Sequence, residues 1–174
     1  PLFAKPVAEG TGRGISDRSI IYDKKQLEEV CVELLHKYHQ PVLVETYLPG
    51  REFTVGILGT GYNSEAIGTI EIIIKPQYDI EVYGFKAKEF CEELIEYKPI
   101  TGIIAEKAKK MALTVHKGIN CRDASRVDIK EDEHGNLHFL EINPLAGLHP
   151  THSDLPTICS FFDISYQELI QRIL

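Results

Sequence analysis

Hydrophobic residues recur at two spacings in the first third of the chain and predict a small mixed α/β unit. Short apolar runs typical of strands occupy residues 2–5, 19–22 and 42–47. Between the last two runs, apolar residues follow Asp23, a good N-cap, at helical spacing. These residues are Leu27, Val30, Leu34 and Tyr38. The pattern therefore predicts two strands, a helix and a third strand.

The rest of the chain predicts a second, larger unit after the turn at residues 48–50. Strand patterns cover residues 52–58 and 66–74, and helical patterns cover residues 101–118 and 165–174. Residues 77–99 show no clean period, so we expect an irregular loop with a short strand at residues 83–87. We place the division between two lobes after residue 48, giving lobes 1–48 and 49–174.

Polar and apolar residues alternate on both sides of a turn at residues 130–136, which predicts a hairpin. With His134 and Gly135 as a two-residue loop, Asp128 lies opposite Glu141 and Arg126 lies opposite Asn143. Directly opposed side chains share a face of the sheet. The apolar side chains then share the other face, and these are Val127, Ile129, Leu140 and Ile142.

The polar face of this hairpin has the composition of a site for a divalent cation and an anion. Two carboxylates and an amide oxygen suit Mg²⁺, which is usually shared with substrate phosphates. An adjacent arginine suits the anion that arrives with the metal. The alternative is a surface salt bridge across a hairpin, which needs the same charges.

Composition sets limits on the class of protein. The 174 residues are 43% hydrophobic and 26% charged, which is typical of a globular protein. The formal net charge of −7 argues against a nucleic-acid partner, whose binding face is usually basic. No apolar run approaches a membrane span and no signal peptide is visible, so we expect no membrane association and a cytoplasmic protein. The chain begins at Pro1 inside a strand pattern, so we expect a fragment of a larger protein.

Cysteine and histidine spacing predicts neither a disulfide framework nor a zinc site. The four cysteines lie far apart without a C-x-x-C pair, which favours free buried thiols. His149, His152 and Cys159 fit no standard zinc spacing, so we expect loop histidines.

Five segments resemble, in order, the motifs of ATP-grasp ligases, and the D-alanine:D-alanine ligase group is the most similar. Residues 3–14 resemble the lysine strand and phosphate loop, and residues 43–55 resemble the adenine hinge with the ribose glutamate. Residues 83–88 resemble the second nucleotide loop. Residues 126–128 and 140–143 resemble the magnesium and oxyanion motifs. The resemblance implies an α+β ATP-grasp fold, with antiparallel sheets and flanking helices in two lobes and with the N-terminal substrate domain absent.

The resemblance also implies an enzyme that joins a carboxylate to an amine through an acylphosphate. It implies ATP and two Mg²⁺ ions, with Mn²⁺ as an alternative ion, amino acid or peptide substrates, and it allows a homodimer. The implied metal ligands are Asp128, Glu141 and Asn143. The implied catalytic residues are Arg126, Gly147 and Ser153. The implied ATP contacts are Lys5, Gly10, Thr11, Gly12, Gly14, Glu45, Tyr47, Leu48, Glu52 and Lys88.

The chain departs from the family pattern at the loop after Asn143. Asp154 stands where the family has the leucine of a Ser-Leu pair that receives the carboxylate of the second substrate. A carboxylate there would repel another carboxylate, so the second substrate is open. Two other functions also remain open. One is a carboxylase-type ATP-grasp enzyme, and the other is a regulatory ATP-binding module without turnover.

Overall fold

The computed structural model describes residues 1–10, 12–75 and 95–174. The chain clusters into two compact units. The first comprises Pro1–Leu48 with Ile74–Glu96, and the second comprises Pro49–Ile73 with Tyr97–Leu174. Some sequence expectations lie outside the described residues, namely those for Thr11, Lys88 and Cys91, and for residues 77–94 of the irregular loop with its strand at residues 83–87. The division between two lobes after residue 48 stays a prediction.

The first unit builds a three-stranded antiparallel sheet with one helix against it. Its elements are β1 (Leu2–Pro6), β2 (Ile20–Ile21), α1 (Lys24–Tyr38) and β3 (Val42–Thr46), and the strand order is β2-β1-β3. Asp23 caps α1 by accepting a hydrogen bond from the backbone N–H of Gln26. The helix buries Val30 and Leu34 against Ala4 and Ile21, as the apolar spacing predicts.

A larger sheet organises the rest of the described chain. Its strands are β4 (Glu52–Leu58), β5 (Glu65–Ile74), β6 (Ile95–Pro99), β7 (Ala124–Glu131) and β8 (Leu137–Asn143). The helices are α2 (Ile103–Gly118), α3 (Asp154–Phe161) and α4 (Tyr166–Ile173). The strand order is β6-β5-β4-β7-β8, and the described registers among β4, β5, β7 and β8 are all antiparallel. The predicted α+β class is confirmed.

Helices cover the two faces of this sheet differently. On one face, α2 packs its alanines, Ala105, Ala108 and Ala112, against a fully buried set of strand residues. These strand residues are Phe53, Val55, Ile57, Val127 and Ile129. On the other face, α3 and α4 pack around Leu58 and Ala124, so they cover one end. The remainder of that face carries the polar residues of the candidate site.

Two paired glycines allow α3 and its following turn to approach the sheet. Gly56 lies opposite Gly68 in the β4–β5 ladder. A Cβ atom at Gly68 would lie 2.1 Å from the Phe162 ring, and one at Gly56 would lie 3.1 Å from the Leu155 side chain. Close packing therefore requires glycine at residue 68, whereas a side chain at residue 56 would need its neighbours to shift by a small distance.

Two sequence expectations about secondary structure are wrong within the described residues. Ile95–Pro99, expected to be irregular, forms the edge strand β6. Residues 154–156, expected to belong to the loop after Asn143, begin the helix α3, which spans Asp154–Phe161. Pro156 is compatible with this helix because it lies in the first turn, where its missing N–H has no helical partner.

The hairpin of β7 and β8 has the predicted register at the site but a different turn. Asp132 pairs with Asn136 around a three-residue loop, and the Asp132 side chain accepts hydrogen bonds from the backbone N–H groups of His134 and Asn136. The ladder then slips by one residue at Leu140. This bulge cancels the extra turn residue, which restores the predicted pairing. Leu140 was expected on the apolar face of the hairpin, but it does not pack against the described core cluster under α2. Leu137 of the same strand packs against that cluster instead.

The described helices include none with the length and apolar character needed to cross a membrane. Of the cysteines, Cys121 and Cys159 are free and buried as expected, whereas Cys31 is free and partly exposed. Burial raises the pKa of Cys159 to about 11.

Candidate functional site

Seven polar residues lie side by side on one face of β4, β7 and β8, and we call them the polar ladder. They are Glu52, Thr54, Arg126, Asp128, Lys130, Glu141 and Asn143. Asp128 lies between Thr54 on one side and Glu141 on the other, and Arg126 lies opposite Asn143. The predicted register of the four hairpin residues is confirmed. Residues that are paired across neighbouring strands share a face of the sheet, so these polar side chains lie close together.

Arg126 and Asp128 form a bidentate ion pair inside the polar ladder. Arg126 Nε donates to Asp128 Oδ1 at 3.0 Å, and Nη2 donates to Oδ2 at 2.8 Å. The two side chains are only 15% and 10% exposed. Burial alone would lower the pKa of Arg126, but the charges of Asp128 and Asp154 outweigh it and raise that pKa above its ordinary value. Arg126 is therefore a permanent cation held by carboxylates.

Asp154, the first residue of α3, binds the other side of Arg126. Its Oδ2 accepts a short hydrogen bond from Arg126 Nη1, and its Oδ1 accepts one from the Tyr97 hydroxyl at 2.6 Å. The Asp154 side chain is 12% exposed. The negative charge of Asp154, from which the sequence predicted repulsion of a substrate carboxylate, is thus paired with Arg126 within the second unit.

The ladder continues through a second ion pair and a buried hydroxyl. Lys130 Nζ donates to Glu52 Oε2 at 2.8 Å, and both side chains are less than one-fifth exposed. Thr54 is fully buried, and its Oγ1 has no hydrogen-bond partner among the described residues. A buried, unsatisfied hydroxyl beside Asp128 adds to the polarity of this face.

Glu141 and Asn143 form the accessible edge of the ladder on β8. The Glu141 side chain is 52% exposed and lies 3.9 Å from Arg126 Nη2. Asn143 Nδ2 donates to Glu141 Oε1 at 3.3 Å. Across the described part of the chain, no group of three or more His, Cys, Asp or Glu side chains forms a metal site. The donors that Asp128, Glu141 and Asn143 offer on this face are two carboxylates and an amide oxygen.

This donor set fits a hard divalent cation. Both oxygens of Asp128 accept hydrogen bonds from Arg126, but an ionised carboxylate has about four acceptor positions. Asp128 can therefore serve Arg126 and a cation together. Glu141 lies opposite Asp128 with half of its surface open to solvent. Mg²⁺ commonly keeps several waters and takes only one or two protein carboxylates.

Two of the predicted ATP-binding residues of the first unit lie on strands, Lys5 on β1 and Glu45 on β3, and Tyr47 and Leu48 follow β3. Lys5 Nζ lies 2.7 Å from Glu45 Oε1, and the rings of Phe3 and Tyr47 stack at a centroid distance of 6.2 Å. The backbone N–H of Tyr47 donates to the Pro1 carbonyl at 3.2 Å. A contact of Tyr47 or Leu48 with adenine would therefore use other backbone atoms of this segment.

The described part of the glycine-rich loop has two glycines in a left-handed backbone conformation. Gly12 and Gly14 have φ values of 74° and 81°, which glycine adopts without a steric penalty. A Cβ atom at Gly14 would lie 2.5 Å from the Pro6 ring. By contrast, a Cβ atom at Gly10 would point into open space among the described residues. The loop therefore needs glycine at residue 14 for both conformation and space.

The loop after Asn143 folds back on itself through Ser153. Ser153 Oγ accepts a hydrogen bond from the backbone N–H of His149 at 3.0 Å, and a Cβ atom at Gly147 would lie 2.6 Å from that oxygen. Gly147 and Ser153 are therefore neighbours, as their shared predicted role requires. His149 and His152 lie in the same loop with ring centroids 4.6 Å apart, so the expectation of loop histidines is confirmed.

The ion pairs of the surface salt-bridge alternative are present at Glu45, Glu52 and Arg126. Burial distinguishes the Glu52–Lys130 and Arg126–Asp128 pairs, whose side chains are less than one-fifth exposed, from ordinary surface pairs, which are exposed and contribute little. The Lys5–Glu45 pair is more open, because the Glu45 side chain is 35% exposed. Sequence reasoning missed Lys130, although it continues the alternation of Arg126 and Asp128. It also missed Tyr97, which is 57 residues from its partner Asp154 and follows no local pattern.

Comparison with known proteins agrees with this architecture. All 174 residues match the family model described as D-ala D-ala ligase C-terminus. The chain belongs to this family. A D-alanine--D-alanine ligase from Pelobacter propionicus is 33% identical over the whole chain, and one from Geobacter sulfurreducens is 32% identical. The chain spans about half the length of these relatives, 53% and 52% respectively.

Solved structures of family members share the fold. A D-alanine--D-alanine ligase from Bacillus anthracis, complexed with ATP, gives a TM-score of 0.75 at 24% identity. The structural match covers 99% of this chain and 50% of the Bacillus anthracis chain. A D-Ala:D-Ser ligase from Enterococcus faecalis gives a TM-score of 0.75 at 23% identity, covering 99% and 48%. The fold is therefore ATP-grasp, as the sequence motifs imply.

Proposed function

We propose that this chain is the ATP-binding and catalytic part of a ligase that joins a carboxylate to an amine at the expense of ATP. Family membership supports the reaction class, because the relatives are named D-alanine--D-alanine ligases. The observation that carries the proposal to this chain is the register of β7 and β8, which puts Asp128 opposite Glu141 and Arg126 opposite Asn143.

The proposed reaction has two steps. An oxygen of the substrate carboxylate attacks the γ-phosphorus of ATP, ADP leaves, and an acylphosphate forms. The nitrogen of the second substrate then attacks the acyl carbon and loses a proton, and inorganic phosphate leaves. We propose D-alanine as the acyl donor and an amino acid as the amine.

In this proposal Asp128, Glu141 and Asn143 would hold Mg²⁺, either one ion or two, with Mn²⁺ as an alternative. The ion neutralises phosphate charge during phosphoryl transfer. Arg126 supplies a fixed positive charge, which stabilises the anionic acylphosphate and the oxyanion of the second step. Gly147 and Ser153 contact the second substrate. Side chains that bind a metal ion and reacting anions need fixed positions, and the buried ion pairs of the polar ladder fix the positions of Arg126 and Asp128.

The ATP contacts complete the proposal. Glu52 accepts hydrogen bonds from ribose hydroxyls, and Lys130 supports it by binding one of its two oxygens. Lys5 and the loop glycines Gly10, Gly12 and Gly14 contact phosphates, while Glu45, Tyr47 and Leu48 contact adenine. Thr11 and Lys88 keep their predicted roles outside the described residues. A homodimer and a cytoplasmic location stay predictions.

The decisive test is Glu141→Gln in the full-length protein. With ATP, Mg²⁺ and D-alanine, the wild-type protein should release phosphate, and the variant should lose at least about 100-fold in kcat because an amide is a weaker ligand for a hard cation. Glu133→Gln is the matched control, since Glu133 lies on the same hairpin at its exposed turn. Equal activity of Glu141→Gln and the control would overturn the proposal.

A further inference from the structure

We infer that Tyr97 and Asp154 are positioning residues that fix the plane of the Arg126 guanidinium, and that Asp154 does not bind the second substrate. The inference rests on the proposed function, in which Arg126 stabilises the reacting anions.

The contact geometry forms a continuous chain of hydrogen bonds. The Tyr97 hydroxyl donates to Asp154 Oδ1 at 2.6 Å, and Asp154 Oδ2 accepts from Arg126 Nη1. Arg126 then donates through Nε and Nη2 to the two oxygens of Asp128. Carboxylates thus hold the guanidinium from two directions, which fixes its rotation as well as its position.

The first three residues of this series of hydrogen bonds come from different elements of the second unit. Tyr97 lies on the edge strand β6, Asp154 begins α3, and Arg126 lies on β7. Leu155 and Ile158 are at most 1% exposed and anchor α3 to the core. The carboxylate of Asp154 is therefore held by packing on one side and by the Tyr97 hydroxyl on the other.

The charge balance argues against a direct role of Asp154 in substrate binding. Both of its oxygens are engaged by groups of its own unit, and the side chain is 12% exposed. Its charge is paired with that of Arg126, so it does not present an isolated negative charge to a substrate carboxylate. Loss of Asp154 would instead release Arg126 Nη1 and let the guanidinium turn.

The effect on the reaction should appear in kcat. A displacement of about 1 Å in a catalytic group can cost about 100-fold in rate. We expect Asp154→Leu to lower kcat by about 10- to 100-fold, and Tyr97→Phe by about 5-fold, the loss of one hydrogen bond. The KM for the second amino acid should stay within about 2-fold in both variants, because Asp154 does not contact that substrate.

The experiment measures kcat and KM of the full-length protein for wild type, Tyr97→Phe, Asp154→Leu and the double variant. Tyr97 acts through Asp154, so Tyr97→Phe should change kcat little when Asp154→Leu is already present. Glu65→Gln, which removes an exposed partner of Arg172, is the control and should leave both constants unchanged. Additive losses in the double variant, or a KM change of more than about 10-fold with kcat unchanged, would overturn the inference.

A thermal unfolding cycle on the same four proteins separates this inference from the proposed function. If wild type releases no phosphate with any amino acid, the proposed function fails, and the unfolding cycle still tests the contact chain. Non-additive Tm changes for Tyr97→Phe and Asp154→Leu support it, and additive changes overturn it. Asp154→Asn, which keeps the shape of the side chain, replaces Asp154→Leu if the leucine variant does not fold.

Discussion

Removal of the Arg126 charge tests the energetic interpretation of the polar ladder. Arg126→Met keeps most of the side-chain length but leaves Asp128 and Asp154 without their shared cation. These carboxylates are 10% and 12% exposed, so water replaces the lost partner poorly. Removing one member of a buried ion pair costs about 3–5 kcal/mol. Because some exposure remains, we expect a loss of about 3 kcal/mol in the free energy of unfolding.

Urea unfolding followed by circular dichroism measures this loss as a lower midpoint at unchanged slope. Arg172→Met is the matched control, because Arg172 also pairs with two carboxylates, those of Glu65 and Glu168. Those partners are 65% and 49% exposed, and exposed pairs contribute about 0–1 kcal/mol. Mg²⁺ should restore part of the stability of Arg126→Met, since it replaces the missing positive charge. Equal losses in the two variants would refute the view that the ladder is a buried charge cluster.

Two further predictions concern the packing and the pH dependence of the second unit. Gly68→Ala should lower the free energy of unfolding by about 1–3 kcal/mol, because its Cβ would lie 2.1 Å from the Phe162 ring. Urea unfolding measures this loss, and adding Phe162→Ala should restore part of the lost stability. Burial lowers the pKa of the buried His116 below 6.5. The unfolded chain therefore binds the proton more readily, and the stability that neutral His116 contributes should decline as pH falls below about 6.5. His116→Gln should flatten this part of the stability–pH curve, and an unchanged curve would contradict the assignment.

The sequence predicts the hairpin register because two independent constraints agree on it. Alternation puts Arg126 and Asp128 on one face and Val127 on the other, and a register shifted by one residue would turn Glu141 and Asn143 away from the polar face. The predicted two-residue turn is wrong, because side-chain capping by Asp132 favours a three-residue loop. The bulge at Leu140 compensates, and alternation alone cannot reveal a bulge.

The parts that sequence reasoning missed depend on contacts between distant segments. Helix α3 has a proline in its first turn and only eight residues, so its periodic signal is weak. Tyr97 lies on an edge strand whose pairing comes from the tertiary structure. The partnership of Tyr97, Asp154 and Arg126 therefore becomes visible only when β6, α3 and β7 are placed together.

The charge balance of the site explains why these carboxylates are kept together. Arg126 contributes one positive charge within 4 Å of Asp128, Asp154 and Glu141, which contribute three negative charges. The Glu52–Lys130 pair beside them is neutral. The cluster thus carries a net charge of −2 on a half-covered face of the sheet, and mutual repulsion of like charges costs stability there. A single divalent cation cancels this charge, so the arrangement that weakens the isolated fold is the one that favours Mg²⁺ binding in the proposed reaction.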